Sequence, residues 1–291
     1  MWNTTQYISI EGYGDVAFRE TGIISSDTQA PKPVMLFLHG LGLNSFFWTP
    51  TMEYLRNDFR CIAIDLPGHG DSRKVRGNFS MTYFSVMLRK FIEQMHLKDL
   101  TLVGHSMGGQ VSIITSLQMP SVITKLVLVC SAGAERFTEE EGKKFMIGAE
   151  YLYKAPVEVA TITQLYASQL SKRSEHLAEL LDEHLHQQKE KFSNFSELVL
   201  ACMRAMLKEP VHAFLTDISQ PTLLVYGEKD ALIPNKILHH DSTTGKIARD
   251  AAALITNSKL ELFSACGHYL PFEEPHELAK KIQEFYLAME N

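Results

Sequence analysis

The stretch TLVGHSMGGQVSII, residues 101–114, places one serine between glycines where an apolar run meets a helix-like segment. Gly104, Ser106 and Gly108 fit the pattern G-x-S-x-G, in which a nucleophilic serine occupies a sharp turn between a strand and a helix. A serine at this position can also act only as the N-cap of the helix. The rest of the chain therefore has to supply the other groups that a reactive serine needs.

Short apolar runs of strand length recur on both sides of this stretch. Residues 7–10 and 16–18 flank a Gly12-Tyr13-Gly14 turn, which predicts a hairpin. The later runs are continuously apolar, as expected for strands buried on both faces of a mainly parallel sheet. They are VMLFLHG from Val34, CIAID from Cys61, LTLVG from Leu100, KLVLVC from Lys125, TLLVYG from Thr222 and LELFSA from Leu260.

Helix-length segments alternate with these runs. Helical spacing of apolar residues is present in MTYFSVMLRKFIEQMH from Met81, in GGQVSIITSLQM after Ser106 and in PHELAKKIQEFYLAM from Pro275. With the two hairpin strands, the pattern predicts an α/β fold with an eight-stranded, mostly parallel sheet and helices on both of its faces.

One region lacks this alternation. Residues 135–216 contain only helical patterns, such as EHLAELLDEHLHQQ from Glu175 and FSELVLACMRAMLKE from Phe195. We interpret the region as a helical insertion, placed like a cap, between core segments 1–134 and 217–291. We expect most of its apolar and sulfur side chains to pack the core of the cap itself. These side chains include Phe145, Met146, Tyr151, Tyr153, Tyr166, Met203, Met206 and Phe214.

Composition excludes several classes of function. The chain has 291 residues, of which 45% are hydrophobic and 21% charged, so it is long and apolar enough for a sizeable core. A net charge of -6 without a long Lys/Arg run argues against binding to nucleic acid or to an anionic membrane. No apolar stretch reaches the roughly 18 residues of a membrane span, and the N-terminal residues do not resemble a signal peptide.

The four cysteines are scattered along the chain and form no C-x-x-C pair. Cys61 and Cys130 lie in apolar runs, where a buried free thiol is the expected state. Unpaired thiols fit a reducing cytoplasm. We therefore expect a cytoplasmic protein with free cysteines.

A serine hydroxyl needs a base, a group that orients the base, and donors for the developing oxyanion. His268, in CGHYLPFEEP after the last apolar run, is the candidate base. Asp230 ends the strand that follows the insertion and is the candidate acid, with Glu228 as its local competitor. The order Ser106, Asp230, His268 is a known chain order for such a triad.

The remaining histidines do not predict a metal site. The chain has 12 histidines, and His176, His184 and His186 lie on helical patterns with mixed spacing. We do not interpret the pair His239-His240 as part of a metal site. Neither a metal nor a cofactor is therefore expected.

Backbone amides are the expected oxyanion donors. One is the N–H of Met107, the residue after the nucleophile. The second should come from the loop after an earlier strand, where HGLG from His39 makes the N–H of Leu41 the candidate. We interpret His39 as a structural residue that holds this loop.

The chain resembles the α/β-hydrolase superfamily over nearly its whole length, on five motifs in the superfamily's order. They are HGLG from His39, DLPGHGDS from Asp65, GHSMGG from Gly104, YGEKDALIP from Tyr226 and GHYLPFEEP from Gly267. The resemblance implies an α/β-hydrolase fold with an inserted helical cap. DLPGHGDS resembles a rigid loop that packs beside the site, so Asp65 and Asp71 are expected to be structural.

Residue types narrow the choice within the superfamily. Haloalkane dehalogenases and epoxide hydrolases carry aspartate where this chain has Ser106, and relatives of prolyl aminopeptidase often carry tryptophan where it has Met107. The segment HGLGLNSFFW resembles cytoplasmic carboxylesterases. We therefore expect a serine esterase that cleaves a small to medium, largely apolar carboxylic ester through an acyl-enzyme, without a cofactor.

Alternatives remain open. Carbon–carbon bond hydrolases of aromatic degradation share these motifs and a similar cap, and enol-lactone hydrolases and monoacylglycerol-type lipases lie between the two. The discriminating pocket is expected in the cap and around Asn44, Phe46 and Trp48. Some members of the superfamily are small-molecule receptors that retain the triad, and turnover separates them from enzymes. The sequence does not indicate an oligomeric state.

Overall fold

The computed structural model describes residues 5–21, 31–72, 79–153, 170–171 and 192–290. The strands are β1 Gln6–Ile10, β2 Gly14–Thr21, β3 Val34–Leu38, β4 Arg60–Ile64, β5 Leu100–His105, β6 Ile123–Val129, β7 Thr222–Gly227 and β8 Ser258–Phe263. The α-helices are α1 Thr49–Leu55, α2 Met81–Gln94, α3 Met107–Gln118, α4 Glu139–Tyr153, α5 Phe192–Lys208, α6 Thr244–Leu254, α7 Leu270–Glu273 and α8 Pro275–Glu290. Short 3₁₀ helices span Ser45–Trp48 and His212–Asp217.

The eight strands form one sheet in the order β1-β2-β4-β3-β5-β6-β7-β8. β2 pairs antiparallel with both β1 and β4, and every other neighbouring pair is parallel. The hairpin, the eight strands and the mostly parallel sheet are therefore confirmed. In this topology the carboxyl ends of β3, β5, β6, β7 and β8 lie along one edge, where the crevice of an open α/β sheet forms.

Burial follows the apolar runs that predicted the central strands, whereas the expected burial is wrong for β8, an edge strand whose residues are mostly half-buried. All six residues of β5 and all six of β7 are buried, because helices cover the central strands. α3 packs against β5 and β6 and against its neighbour α2, while α1 packs against α8. None of the described helices combines the length and the hydropathy that a membrane span requires.

Three helices of the core were not predicted: α1, α6 and the four-residue α7. α1 is only seven residues long and starts with a proline in its first turn, so its periodicity is too short to recognise. α6 is rich in alanine and buries small side chains, which weakens the apolar pattern. The side chain of Thr243 accepts the N–H of Lys246 and caps the start of α6.

The described residues between β6 and β7 are helical apart from their connections, as the sequence predicts. α4 packs against α5, and α5 also contacts α2 of the core. Tyr151 and Phe214 differ from the expected packing, since their side chains are exposed. Tyr166, His176, His184 and His186 lie outside the described residues, and the boundaries 135–216 of the insertion stay a prediction.

Two polar side chains join α5 to the core. Gln110 on α3 donates hydrogen bonds from Nε2 to the carbonyl oxygens of Met206 and Glu209, at 3.0 and 2.8 Å. The Glu209 carboxylate in turn accepts the N–H groups of Met81 and Thr82 at the start of α2. These hydrogen bonds satisfy carbonyl groups at the C-terminal end of α5 and N–H groups at the start of α2, which have no partner within their own helices.

Candidate active site

Ser106 lies on the turn between β5 and α3, at the carboxyl edge of the sheet. Its backbone has φ 51° and ψ −120°, a strained conformation for a residue with a side chain. The N–H of Ser106 donates to Val129, and the carbonyl of Ser106 accepts from Ala132, so β6 and the loop after it hold the turn. The side chain makes no capping hydrogen bond, which argues against a simple N-cap role.

Close packing explains the glycines on each side of Ser106. A Cβ on Gly104 would lie 2.5 Å from the carbonyl oxygen of Gly108, and a Cβ on Gly108 would lie 2.5 Å from that of His39. Only glycine allows this approach of backbones. The start of α3 is thereby held against the end of β3, so the Ser106 turn and the HGLG loop are neighbours.

Asp230 and His268 form a buried hydrogen-bonded pair. Nδ1 of His268 lies 2.7 Å from Oδ2 of Asp230, and both side chains are almost completely inaccessible. The other oxygen of Asp230 accepts the N–H groups of Leu232 and Ile233, so the carboxylate is an acceptor on both sides. Nδ1 of His268 must then be the donor, which leaves Nε2 as the basic nitrogen. The competitor Glu228 is exposed.

His105, the residue before Ser106, connects the Ser106 turn to the backbone of His268. His105 Nε2 lies 2.9 Å from the carbonyl oxygen of His268, and the two rings are 4.8 Å apart between centroids. The hydrogen bonds of the described residues include none between the Ser106 hydroxyl and the His268 ring. In unliganded sites such bonds are often long and tighten when substrate binds.

The two predicted oxyanion donors lie on adjacent segments. In the part of the chain that the structure describes, the backbone hydrogen bonds provide no acceptor for the N–H of Leu41 or of Met107. His39 holds the loop that carries Leu41, because its Nε2 accepts the N–H of Leu66 and its Nδ1 donates to the carbonyl of Gly40. This arrangement agrees with a structural role for His39.

Asp65 also holds the loops around the site. Its two carboxylate oxygens accept the N–H groups of Ser45 and Asp71, at 2.6 and 2.7 Å, and its backbone carbonyl accepts the Ser72 hydroxyl. The DLPGHGDS segment is thus joined to the loop after β3. These bonds agree with the structural role expected for this segment.

The three residues proposed for the pocket have packing or capping contacts. Asn44 is buried and caps a 3₁₀ helix by accepting the N–H of Phe46. The Phe46 ring lies 5.9 Å from the guanidinium of Arg19. Trp48 is fully buried in the core. A place in the substrate pocket stays a prediction for all three.

Sequence reasoning missed two residues beside the pair, His105 and Cys130. The ligand atoms of Cys130, Asp230 and His268 lie within 4.8 Å of one another, and this is the one such group of potential metal ligands among the described residues. Burial raises the pKa of the Cys130 thiol well above its usual range, so it stays protonated. The position of Cys130 directly after β6 could have predicted its place near the site, because the carboxyl ends of the parallel strands lie at one edge of the sheet.

A family model of the alpha/beta hydrolase fold matches residues 33–275. Monoacylglycerol lipase ABHD6 of Homo sapiens is 27% identical over 274 residues, which cover 89% of this chain and 77% of the relative. Among solved structures, a probable hydrolytic enzyme from Pseudomonas aeruginosa has a TM-score of 0.81 at 20% identity, covering 97% of this chain and 94% of that one. An esterase from Thermogutta terrifontis has a TM-score of 0.76 at 22% identity, covering 98% and 99%.

The extent of the family match, the sheet order and the serine turn lead to the same conclusion. This chain belongs to the alpha/beta hydrolase fold family.

Proposed function

We propose that the protein is a serine hydrolase that cleaves a small to medium, largely apolar carboxylic ester through an acyl-enzyme intermediate. Ser106 is the nucleophile, His268 the general base and Asp230 the group that orients the base. The observation that carries the proposal is the buried 2.7 Å hydrogen bond between His268 and Asp230, on the loops beside the strained Ser106 turn. Such a buried histidine–carboxylate pair is the base-and-orienter part of a triad.

Acylation begins with attack of the Ser106 oxygen on the ester carbonyl carbon. Nε2 of His268 accepts the hydroxyl proton and then donates it to the departing alcohol. The anionic Asp230 stabilises the imidazolium that forms in between, and its bond to Nδ1 keeps the basic lone pair on Nε2. The backbone N–H groups of Leu232 and Ile233 support this role, since they favour the charged carboxylate.

The oxyanion of the tetrahedral intermediate is bound by the N–H groups of Leu41 and Met107. Both amides lack a protein acceptor in the described residues, so they are free for a ligand. The N-terminal end of α3 adds the positive end of the helix dipole at the same place. Each donor of this type is worth a factor of about 10²–10³ in rate.

Deacylation repeats the same steps with water. His268 removes a proton from the water molecule as it attacks the acyl-enzyme carbonyl, and the proton returns to the Ser106 oxygen as the acid leaves. No redox or metal step enters this scheme.

The substrate class rests on the residues that α5 brings to the loops of the site. Phe195 and Val199 lie within 4 Å of the Cβ position of Gly42, and Leu198 lies equally close to that of Gly68. These apolar side chains favour an apolar acyl or alcohol group, with segment 135–216 acting as a cap over the site. The relatives named a monoacylglycerol lipase and an esterase support this class.

A fluorophosphonate probe and a series of p-nitrophenyl esters test the proposal. The probe should label the wild-type protein at Ser106, and ester turnover should be highest for uncharged acyl groups. Ser106→Ala should abolish labelling and lower kcat by about 10⁵–10⁶ with little effect on the unfolding midpoint. The matched control Ser121→Ala, at an exposed serine, should change neither.

The same experiment separates the alternatives. Retained ester hydrolysis in Ser106→Ala would overturn the assignment of the nucleophile. If the probe labels Ser106 but a lactone or a dienone acid is turned over faster than the esters, the proposed substrate becomes that compound class and no longer a simple ester. Binding that raises thermal stability without turnover would indicate a receptor.

A further inference from the structure

The ring of His105 occupies a fully buried position between three segments of the site. It directly precedes Ser106, and its Nε2 lies 2.9 Å from the carbonyl oxygen of His268, a residue 163 positions away in the chain. A carbonyl oxygen only accepts, so Nε2 carries the hydrogen. This bond fixes the backbone of the residue that bears the catalytic base.

The same ring defines the position of the oxyanion loop. A Cβ on Gly40 would lie 2.7 Å from Nδ1 of His105 and 3.1 Å from the Cβ of Ser106. Gly40 therefore packs directly on the ring and on the nucleophile. One imidazole thus contacts the segments that carry the nucleophile, the base and the Leu41 amide.

Packing holds the ring in one orientation. The Phe47 ring lies 4.5 Å from the His105 ring between centroids, Tyr269 lies at 6.2 Å and Trp48 at 6.4 Å. Aromatic neighbours on several sides leave little room for a rotamer change. The His105 ring that donates the hydrogen bond to His268 is therefore already held in position by packing.

The surroundings of the ring favour its neutral form. Nδ1 is buried and has no hydrogen-bond partner among the described residues, so a proton there would be an unsatisfied buried donor. Burial lowers the pKa of His105 well below its usual value, and a charge on the His268 ring lowers it further. His105 therefore stays uncharged while His268 cycles through its imidazolium form.

We propose that His105 is a positioning residue, whose Nε2–H bond to the His268 carbonyl sets the reach of the His268 imidazole toward Ser106. The inference rests on the proposed triad. It adds the residue that positions the base, His268, next to the nucleophile, Ser106. It distinguishes His105 from the catalytic residues, because its ring touches no reacting atom.

Two substitutions of His105 with side chains of similar length separate the effect of the lost hydrogen bond from the effect of altered packing. His105→Gln keeps an N–H donor on a flexible side chain, whereas His105→Met has none. Phe91→Leu is the control for a general loss of core packing, because Phe91 is fully buried on α2 and contacts Phe18 instead of the site. If His105→Met does not fold, His105→Phe replaces it.

The measurements are kcat and KM for a p-nitrophenyl ester, the rate of fluorophosphonate labelling, and the unfolding midpoint. For His105→Met, we expect kcat and the labelling rate to fall together by about 10²-fold, with KM within threefold of wild type. His105→Gln should recover at least tenfold of the lost kcat. Phe91→Leu should lose stability without a comparable change in kcat.

Two outcomes would overturn the inference. One is a His105→Met enzyme with wild-type kcat, and the other is a loss of kcat that Phe91→Leu matches at equal loss of stability. The proposed triad fails by a different result, which is a wild-type protein that the probe does not label at Ser106. Labelling at Ser106 together with an unaffected His105→Met would remove the positioning role alone.

Discussion

Nδ1 of His268 lies 2.7 Å from Oδ2 of Asp230, although 38 residues separate them along the chain. The two loops that carry them follow adjacent parallel strands, β7 and β8, whose carboxyl ends lie at the same edge of the sheet. The pair is buried and its carboxylate accepts three N–H groups. A buried histidine–carboxylate pair of this kind makes the loops after β7 and β8 the first region in which to test substitutions for loss of activity.

Asp230→Asn should lower kcat by roughly 10³–10⁴. The asparagine amide would turn an NH₂ donor either toward the Leu232 and Ile233 amides or toward His268, where it would favour the wrong tautomer of the ring. Steady-state kinetics on a p-nitrophenyl ester measure the change. The control is Glu228→Gln, an exposed change that should leave kcat within twofold. An active Asp230→Asn beside an inactive Glu228→Gln would transfer the acid role to Glu228.

Gly108→Ala should destabilise the fold and disrupt the turn that carries Ser106. The added methyl would lie 2.5 Å from the His39 carbonyl oxygen and 2.6 Å from that of Leu38, and backbone atoms of a central strand cannot move aside. Overpacking of this kind costs about 1–3 kcal/mol in the free energy of unfolding. Urea unfolding and ester turnover report the two effects.

Gly148→Ala is the matched control for this substitution. Gly148 is exposed on α4, and a Cβ there would meet nothing within 4 Å. Alanine should leave activity unchanged and stabilise the helix by up to about 1 kcal/mol. Equal losses in the two variants would mean that close packing at Gly108 is not the cause.

Gln110→Ala should loosen the attachment of α5 to the core. The substitution removes the donor that satisfies the carbonyls of Met206 and Glu209, and the loss of one such partly buried hydrogen bond costs about 0.5–1.5 kcal/mol. Hydrogen exchange should accelerate in α5 more than in β5. Gln283→Ala removes an exposed hydrogen bond to Asp58 and should have no such effect. Uniform acceleration in α5 and β5 would argue against a local attachment.

The buried His105 should make stability depend on pH. Its pKa in the folded protein is lowered by burial, so the unfolded chain binds a proton more readily than the folded one. The contribution to stability is complete above the unfolded pKa of about 6.5 and is lost as the pH falls from there toward the folded pKa.

His105→Gln removes this titration. Between pH 6.5 and 5.5 the wild-type protein should lose about 1 kcal/mol more of its unfolding free energy than the variant. Urea unfolding at both pH values measures the difference. Comparison with the variant at the same two pH values cancels contributions that both proteins share. Identical pH dependence in the two proteins would mean that His105 is not kept neutral.

Local patterns were enough to predict the sheet and the elements on each side of Ser106. The runs around Val34, Leu100 and Thr222 are continuously apolar, and a strand buried on both faces tolerates little else. Periodicity failed for α1, because seven residues hold less than two full turns of apolar spacing, and for α6, because alanine gives a weak signal.

Ser106, Asp230 and His268 were candidates on the sequence alone, since Ser106 fits G-x-S-x-G and the other two lie on the loops after later predicted strands. The sequence favoured Asp230 over Glu228 because Asp230 lies further into the loop, and the tertiary structure adds that the Asp230 carboxylate is buried whereas Glu228 is exposed. The role of His105 was visible only in the fold. Its hydrogen bond joins residues 163 positions apart, and no local pattern encodes a contact that depends on how two distant loops pack.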